Sequence, residues 1–266
     1  MELIHLNFIL KNRLITLKII ITFLTLISYI NGQFSLPTFQ AVNTVQTVSS
    51  SGSDILIIWD DSATNSNTLS LKSALENAGF TVTLSSTNES NYNSSNPSPS
   101  DYNVIIHLNG TTYGSTMPTS GQTALANFVS TQGGLYCHSE WTAYQGSNYS
   151  TMNEIILLTR TTGHTGSSIY TEVNSQSSHS ILNNIPSSFT ITGGFNIGPA
   201  KSFESNPVTV LMTQNTSGTI SDAVVTRTVG NGKVIGMSLG GNYGGYNILS
   251  DTNVQQLFIN AVNWAN

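Results

Sequence analysis

The sequence predicts an α/β fold on a mostly parallel sheet, with helices on both faces and antiparallel strands added in the second half. Three observations predict it. Short, continuous apolar runs end in polar residues, as strands buried on both faces do. Segments of helical period alternate with these runs in the first half. The later half holds several further strand-like runs before a last amphipathic segment.

Taken in order, Asp54-Ile-Leu-Ile-Ile-Trp59 is a buried strand that stops at Asp60-Asp61. Thr68 to Ala78 places Leu69, Leu71, Leu75 and Ala78 at helical spacing, with Gly79 as the stop. Phe80-Thr-Val-Thr-Leu84 alternates as a strand, and the Ser/Asn/Pro-rich residues 85–100 read as loop. Tyr102-Asn-Val-Ile-Ile-His107 is a third strand. Thr119 to Ser130 is a helix with Ala124, Leu125, Phe128 and Val129 inward, ended by Gly133-Gly134, and Leu135-Tyr-Cys-His138 is a fourth strand. Strands are predicted at 168–173, 189–192, 208–212, 223–229 and 232–239, several of them antiparallel. A terminal helix runs from Asp251, a good N-cap, to Trp264.

Lys11, Arg13 and Lys18 precede an apolar run, Ile19 to Ile30, which is short for a membrane span of roughly 20 residues. That order reads as a secretory signal peptide over 1–32, with an uncleaved N-terminal anchor as the competing reading, followed by a polar leader over 33–53 and one domain over 54–266. The expectation is a secreted protein with no membrane attachment once the leader is cleaved. Asn-x-Ser/Thr sequons at Asn88, Asn93, Asn109, Asn148 and Asn215 are candidate glycosylation sites. The one cysteine, Cys137, cannot form an internal disulfide, so the domain relies on its apolar core.

Charged residues are 8% of the chain, against about 25% in ordinary globular proteins. Past the leader only Lys72, Arg160, Lys201, Arg227 and Lys233 are basic, so there is no cluster to neutralise phosphates and nucleic acid is excluded as a partner.

Ligands of open parallel sheets sit beyond the carboxyl ends of the strands. Asp60, Asp61, His107, Cys137, His138 and Glu140 all fall there. Cys137, His107, His138 and Asp60 are the candidate catalytic groups; Asp61, Glu140, Trp141 and Tyr113 are candidate ligand contacts. A thiol nucleophile needs a base or helix N-terminus to lower its pKa. His138 would point to the opposite strand face, which leaves His107 or His164 as the base. A buried, inert Cys137 is the competing reading, and an oxidising compartment favours it. His107, His138, Asp60 and Glu140 are chemically fit for a divalent metal, but no pair has ligand spacing; helix capping by the Asp pair and backbone bonds to the histidines are the alternative. Trp59, Trp141, Tyr113, Tyr144 and Tyr149, flanked by amides, suit stacking against sugar rings or are core and rim aromatics. Gly240-Gly-Asn-Tyr-Gly-Gly-Tyr246 forms a loop after the last strand, and His179 reads as structural.

Four stretches carry a family resemblance: Ile55-Leu-Ile-Ile-Trp-Asp-Asp61, Gly133-Gly-Leu-Tyr-Cys-His-Ser139, Ser178-His-Ser-Ile-Leu-Asn-Asn-Ile-Pro-Ser-Ser-Phe189, and Gly230 to Gly240 with Asn253 to Trp264. In this order the chain resembles the ThuA-like (trehalose utilisation) branch of the class I glutamine amidotransferase-like superfamily. The resemblance implies a flavodoxin-like, glutamine amidotransferase-like sheet and a small, carbohydrate-like ligand. It also implies departures. An Asp-Glu pair is absent at Thr192-Gly-Gly-Phe-Asn196, and no Gly-His closes Leu239-Gly-Gly-Asn242. Cys137 lacks the second glycine of a Gly-x-Cys-x-Gly elbow, and no His-x-Glu lies beyond residue 140. These absences argue against amidotransferase activity. The function expected is binding or processing of a carbohydrate-like molecule at the carboxyl ends of the strands, or else a non-catalytic extracellular binding or structural role. Cofactor and oligomeric state are not legible.

Overall fold

Runs such as Ile55–Ile58 and Val104–His107 have apolar side chains on both faces, and a sheet can bury both only if helices cover each side. The computed structural model describes residues 54–139 and 149–265. The leader, Glu140, Trp141, Tyr144 and Asn148 lie outside these described residues.

Nine strands form one sheet: β1 Asp54–Ile58, β2 Thr81–Leu84, β3 Val104–His107, β4 Leu135–Ser139, β5 Thr162–Glu172, β6 Ser188–Ile197, β7 Thr209–Thr216, β8 Thr219–Val229 and β9 Gly232–Met237. Their spatial order is β2-β1-β3-β4-β9-β8-β7-β5-β6. Pairing is parallel from β2 to β9 and antiparallel from β9 to β6. The sheet is therefore mixed rather than mostly parallel. The antiparallel part is larger than predicted because β5 and β6 extend through Gly, Ser and Thr, where ladder hydrogen bonds hold residues that carry no apolar signal.

Three helices complete the layers: α1 Ser66–Asn77, α2 Thr119–Ser130 and α3 Thr252–Ala265. Strand alternation decides which residues meet which helix. Ile55, Ile57, Val104, Ile106, Leu135, Cys137 and Ile235 pack with Leu71 and Leu75 of α1 and with Val254, Leu257 and Phe258 of α3. Leu56, Ile58, Ile105, Tyr136 and Val234 pack on the other face with Leu125, Phe128 and Val129 of α2. Helices thus cover both faces of the parallel part.

The cap of α1 is Asn65, whose side chain accepts from the Asn67 and Thr68 amides at 2.8 and 3.4 Å. Asp61 instead accepts from its neighbour, the Ser62 amide, and from Asn65 Nδ2 at 2.6 Å, so it orients the cap rather than being it. Asp251 caps α3 as predicted, accepting from the Asn253 and Val254 amides at 2.9 and 3.2 Å.

A buried carboxylate cluster at the carboxyl ends of the parallel strands

β3 and β4 pair in a register that sets His107 beside His138. Both histidines lie on the α2 face with Tyr136, since alternation turns Cys137 the other way. The ring of His138 stacks near Tyr136, with centroids 5.9 Å apart, while the His107 Nδ1 lies 2.6 Å from the Tyr136 hydroxyl. Both histidines are fully buried.

The centre of the cluster is Glu89, a residue the sequence reading leaves inside a loop. The chain after β2 makes a short 3₁₀ turn, Glu89–Asn91, and the Glu89 amide donates to the Trp59 carbonyl at 2.7 Å. This fixes a carboxyl group with no solvent exposure under the ends of β1 and β3. Its Oε1 accepts from Asn109 Nδ2 at 3.0 Å and from the Thr112 hydroxyl at 2.7 Å. Its Oε2 accepts from the Tyr149 hydroxyl at 2.9 Å and lies 3.3 Å from His107 Nε2. Four groups able to donate meet an acceptor-only carboxylate, which is the condition for burying that charge. Tyr136 stays a phenol, because burial first and then the nearby Glu89 carboxylate hold its pKa well above the ordinary value. With an acceptor-only carboxylate at Nε2, a neutral His107 carries its hydrogen there and donates to Glu89, and its Nδ1 then accepts from the Tyr136 hydroxyl. One sequence signal existed for this site: Glu89 is the sole acid between Glu76 and Asp101.

A second hub joins the loops after β1, β3 and β9. Asp60 is buried; its Oδ2 accepts from the Thr111 amide at 3.0 Å and its Oδ1 from Asn242 Nδ2 at 2.7 Å. Burial pushes the Asp60 pKa up to about 6, against the opposing hydrogen bonds from Thr111 and Asn242. Asn242 Nδ2 also lies within 2.8 Å of the Thr68 hydroxyl and 3.3 Å of Asp61, and Asn67 Nδ2 donates to its Oδ1 at 2.8 Å. Gly110 and Gly240 let the two loops touch: a Cβ on Gly110 would run into the Gly240 carbonyl oxygen. The Gly/Tyr loop is thus tied down through Asn242. Neither Asn242 nor Asn67 stands out in a chain so rich in Asn.

The two hubs share the segment Asn109–Thr112. Ser139 at the end of β4 fixes its start, donating to the Asn109 carbonyl at 2.8 Å and accepting from the Asn109 amide at 2.6 Å. Asn109 Oδ1 is buried without a hydrogen-bond partner among the described residues.

The predicted site residues divide. His107 and Asp60 join these hubs, with Asp61 at the margin of the second. Tyr113 is half-buried and meets Tyr243 edge-on, with centroids 5.7 Å apart. His138 is committed elsewhere: its Nε2 accepts from the Leu157 amide at 3.0 Å, and Nδ1 lies 3.2 Å from the Ser139 carbonyl. Burial lowers its pKa to about 3, so it is a neutral imidazole. Cys137 has a thiol pushed far up by burial in the core on the opposite face from His107. The geometry gives it neither a base nor access, so it packs. His164 lies on β5, 3.1 Å from the Ser217 hydroxyl. His179 accepts from the Ile181 amide at 3.3 Å and packs near Trp264. Tyr149 is buried with its hydroxyl on Glu89, so it offers no face to a sugar. Asn109 cannot carry a glycan in this fold, since its Nδ2 is buried against Glu89. Among the described residues no three His, Cys, Asp or Glu side chains group as metal ligands.

The chain matches the profile of a family described as ThuA, trehalose utilisation, over residues 54–265. Its fold is similar to that of a ThuA-like protein from Bacteroides uniformis, at 17% identity and a TM-score of 0.59, covering 80% of this chain and 91% of the other. A ThuA-like protein from Parabacteroides merdae is similar at 16% identity and a TM-score of 0.58, covering 80% and 90%. No functionally curated protein matches the chain.

Proposed function

This chain belongs to the ThuA family, trehalose utilisation, and from that premise we propose that it binds a neutral, carbohydrate-like small molecule above the carboxyl ends of β1, β3 and β4. The family points to a carbohydrate-related role; the ligand and its place are our reading. The half-buried pair Tyr113 and Tyr243 carries it, since Asn109 itself is fully buried against Glu89 and works inside the protein. This pair borders the loops after β3 and β9, and flat rings stack on sugar faces. Nothing in this arrangement demands a charged ligand.

Binding is favoured over turnover. Glu89, His107 and His138 are buried, with their polar atoms engaged inside the protein. A general acid or base must reach the substrate. Asp60 is likewise buried, with both carboxyl oxygens engaged by Thr111 and Asn242. Amidotransfer through Cys137 has no support in this geometry.

Calorimetric titration with trehalose and a panel of neutral disaccharides tests the reading. We expect saturable binding to at least one, weakened tenfold or more by Tyr113→Ala and by Tyr243→Ala, with the melting temperature recorded for each variant. A wild-type protein that binds no saccharide overturns the proposal.

A further inference from the structure

The antiparallel end of the sheet buries one face and exposes the other, where hydroxyl side chains dominate. Ser167 and Thr171 of β5 and Thr190 and Thr192 of β6 are exposed there. Within this face lie Ile169, 45% exposed, and Ile220, 71% exposed, the two most exposed large apolar side chains among the described residues. Register places Asn215 directly opposite Ile169 on β5 and directly opposite Ile220 on β8. Residues opposite one another in antiparallel pairs project from one face with Cβ atoms about 4.5–5.5 Å apart. The row across three adjacent strands is therefore Ile169, Asn215, Ile220, with the amide between the two apolar side chains.

Asn215 opens the sequon Asn215-Thr216-Ser217. Its Oδ1 accepts from the Gly218 amide at 3.0 Å within the β7–β8 turn. Its Nδ2, the atom that would carry a sugar, makes no hydrogen bond among the described residues, and the residue is exposed. At Asn109 the corresponding nitrogen is buried against Glu89.

We propose that Asn215 carries an N-linked glycan, and that its first sugars lie over Ile169 and Ile220 as the cover of this face. Exposed apolar side chains on a flat sheet face favour self-association, and a bulky hydrated modification suppresses it. The aliphatic faces of pyranose rings match two isoleucines flanked by hydroxyls. In the transfer, Asn215 Nδ2 attacks the anomeric carbon of a lipid-diphosphate-linked oligosaccharide. A nitrogen–carbon bond forms, the carbon–oxygen bond to the diphosphate breaks, the lipid diphosphate leaves, and Nδ2 loses one proton. The proposal needs passage through a secretory pathway, and is independent of what the carboxyl-end site binds.

The test is to express the full chain with its own leader in a eukaryotic secretory host and map glycopeptides by mass spectrometry. We expect most molecules to be modified at Asn215. Asn215→Gln and Ser217→Ala should both lose that mass and raise the light-scattering aggregate fraction several-fold; the second leaves the Asn215 side chain in place. Adding Ile169→Thr and Ile220→Thr to Asn215→Gln should bring the fraction back to the wild-type level. An unmodified Asn215 overturns the proposal, as do sequon variants that stay monodisperse, or a triple variant that aggregates like Asn215→Gln.

Discussion

The two halves of the sheet handle polarity in opposite ways. In β1, β3 and β4 nearly every side chain is buried on both faces, and polar groups gather at the strand ends around Glu89 and Asp60. In β5 and β6 polar groups sit along the strands on an exposed face, where water satisfies them. Parallel pairing with helices on both sides removes water from both faces, so each polar group must find a protein partner or lie at an end. Antiparallel pairing with one open face imposes no such demand. The same Ser, Thr and Asn residues therefore hold the fold together in one half and do little for its stability in the other.

The largest expected effect that would break this contrast is at Glu89. Glu89→Ala leaves the Asn109, Thr112, Tyr149 and His107 donors facing a void. A buried donor left without its acceptor typically costs about 1–3 kcal/mol, and four lose theirs together here. Denaturant unfolding should show a loss of that order; a loss within experimental error would mean that water replaces the carboxylate, and the contrast would fail.

The pH response sharpens it. Asp60 has its pKa raised from 3.8 to about 6, so its contribution to stability is fully present below the unfolded value and is lost as pH rises through 6. His138 has its pKa lowered from 6.5 to about 3, so its contribution is present above the unfolded value and is lost as pH falls toward 3. Between about pH 4 and 6 the two slopes oppose one another, each worth about 1.4 kcal/mol per pH unit at most. Asp60→Asn removes one of them. Melting curves at several pH values should show the variant losing stability on acidification more steeply than wild type, and parallel profiles would sink the assignment.

The smallest effect belongs to the open face. Thr190→Ala and Ser167→Ala should each shift unfolding by no more than about 0.5 kcal/mol, as surface substitutions do. A loss of several times that size would show that the hydroxyl face is structural after all.

Much of the carboxyl-end site could be placed from sequence without being understood. His107 and Asp60 were legible because apolar runs end at them and parallel sheets gather polar residues at strand ends. Glu89 was not, because a loop position carries no periodicity and its burial depends on donors from three other segments. Cys137 and His138 show a finer limit. Alternation foretold that they face opposite ways, yet only the packed helices reveal that the thiol meets α1 and α3 while the imidazole accepts from Leu157. Asn109 and Asn215 read identically as sequons. One is buried against Glu89 and the other exposed on a strand, because burial is a property of neighbours rather than of a tripeptide.

By itself the sequence determined the element types, the helix termini at Gly79 and Asp251, the burial of the parallel strands and the family, all set by local period, capping chemistry and motif order. Tertiary structure alone decided how far the antiparallel strands extend, which acid sits at the centre of the cluster, and which amides and hydroxyls are satisfied. Those outcomes depend on hydrogen bonds between residues as far apart as Asp60 and Asn242, and no local pattern encodes a partner that only the closed fold brings within reach.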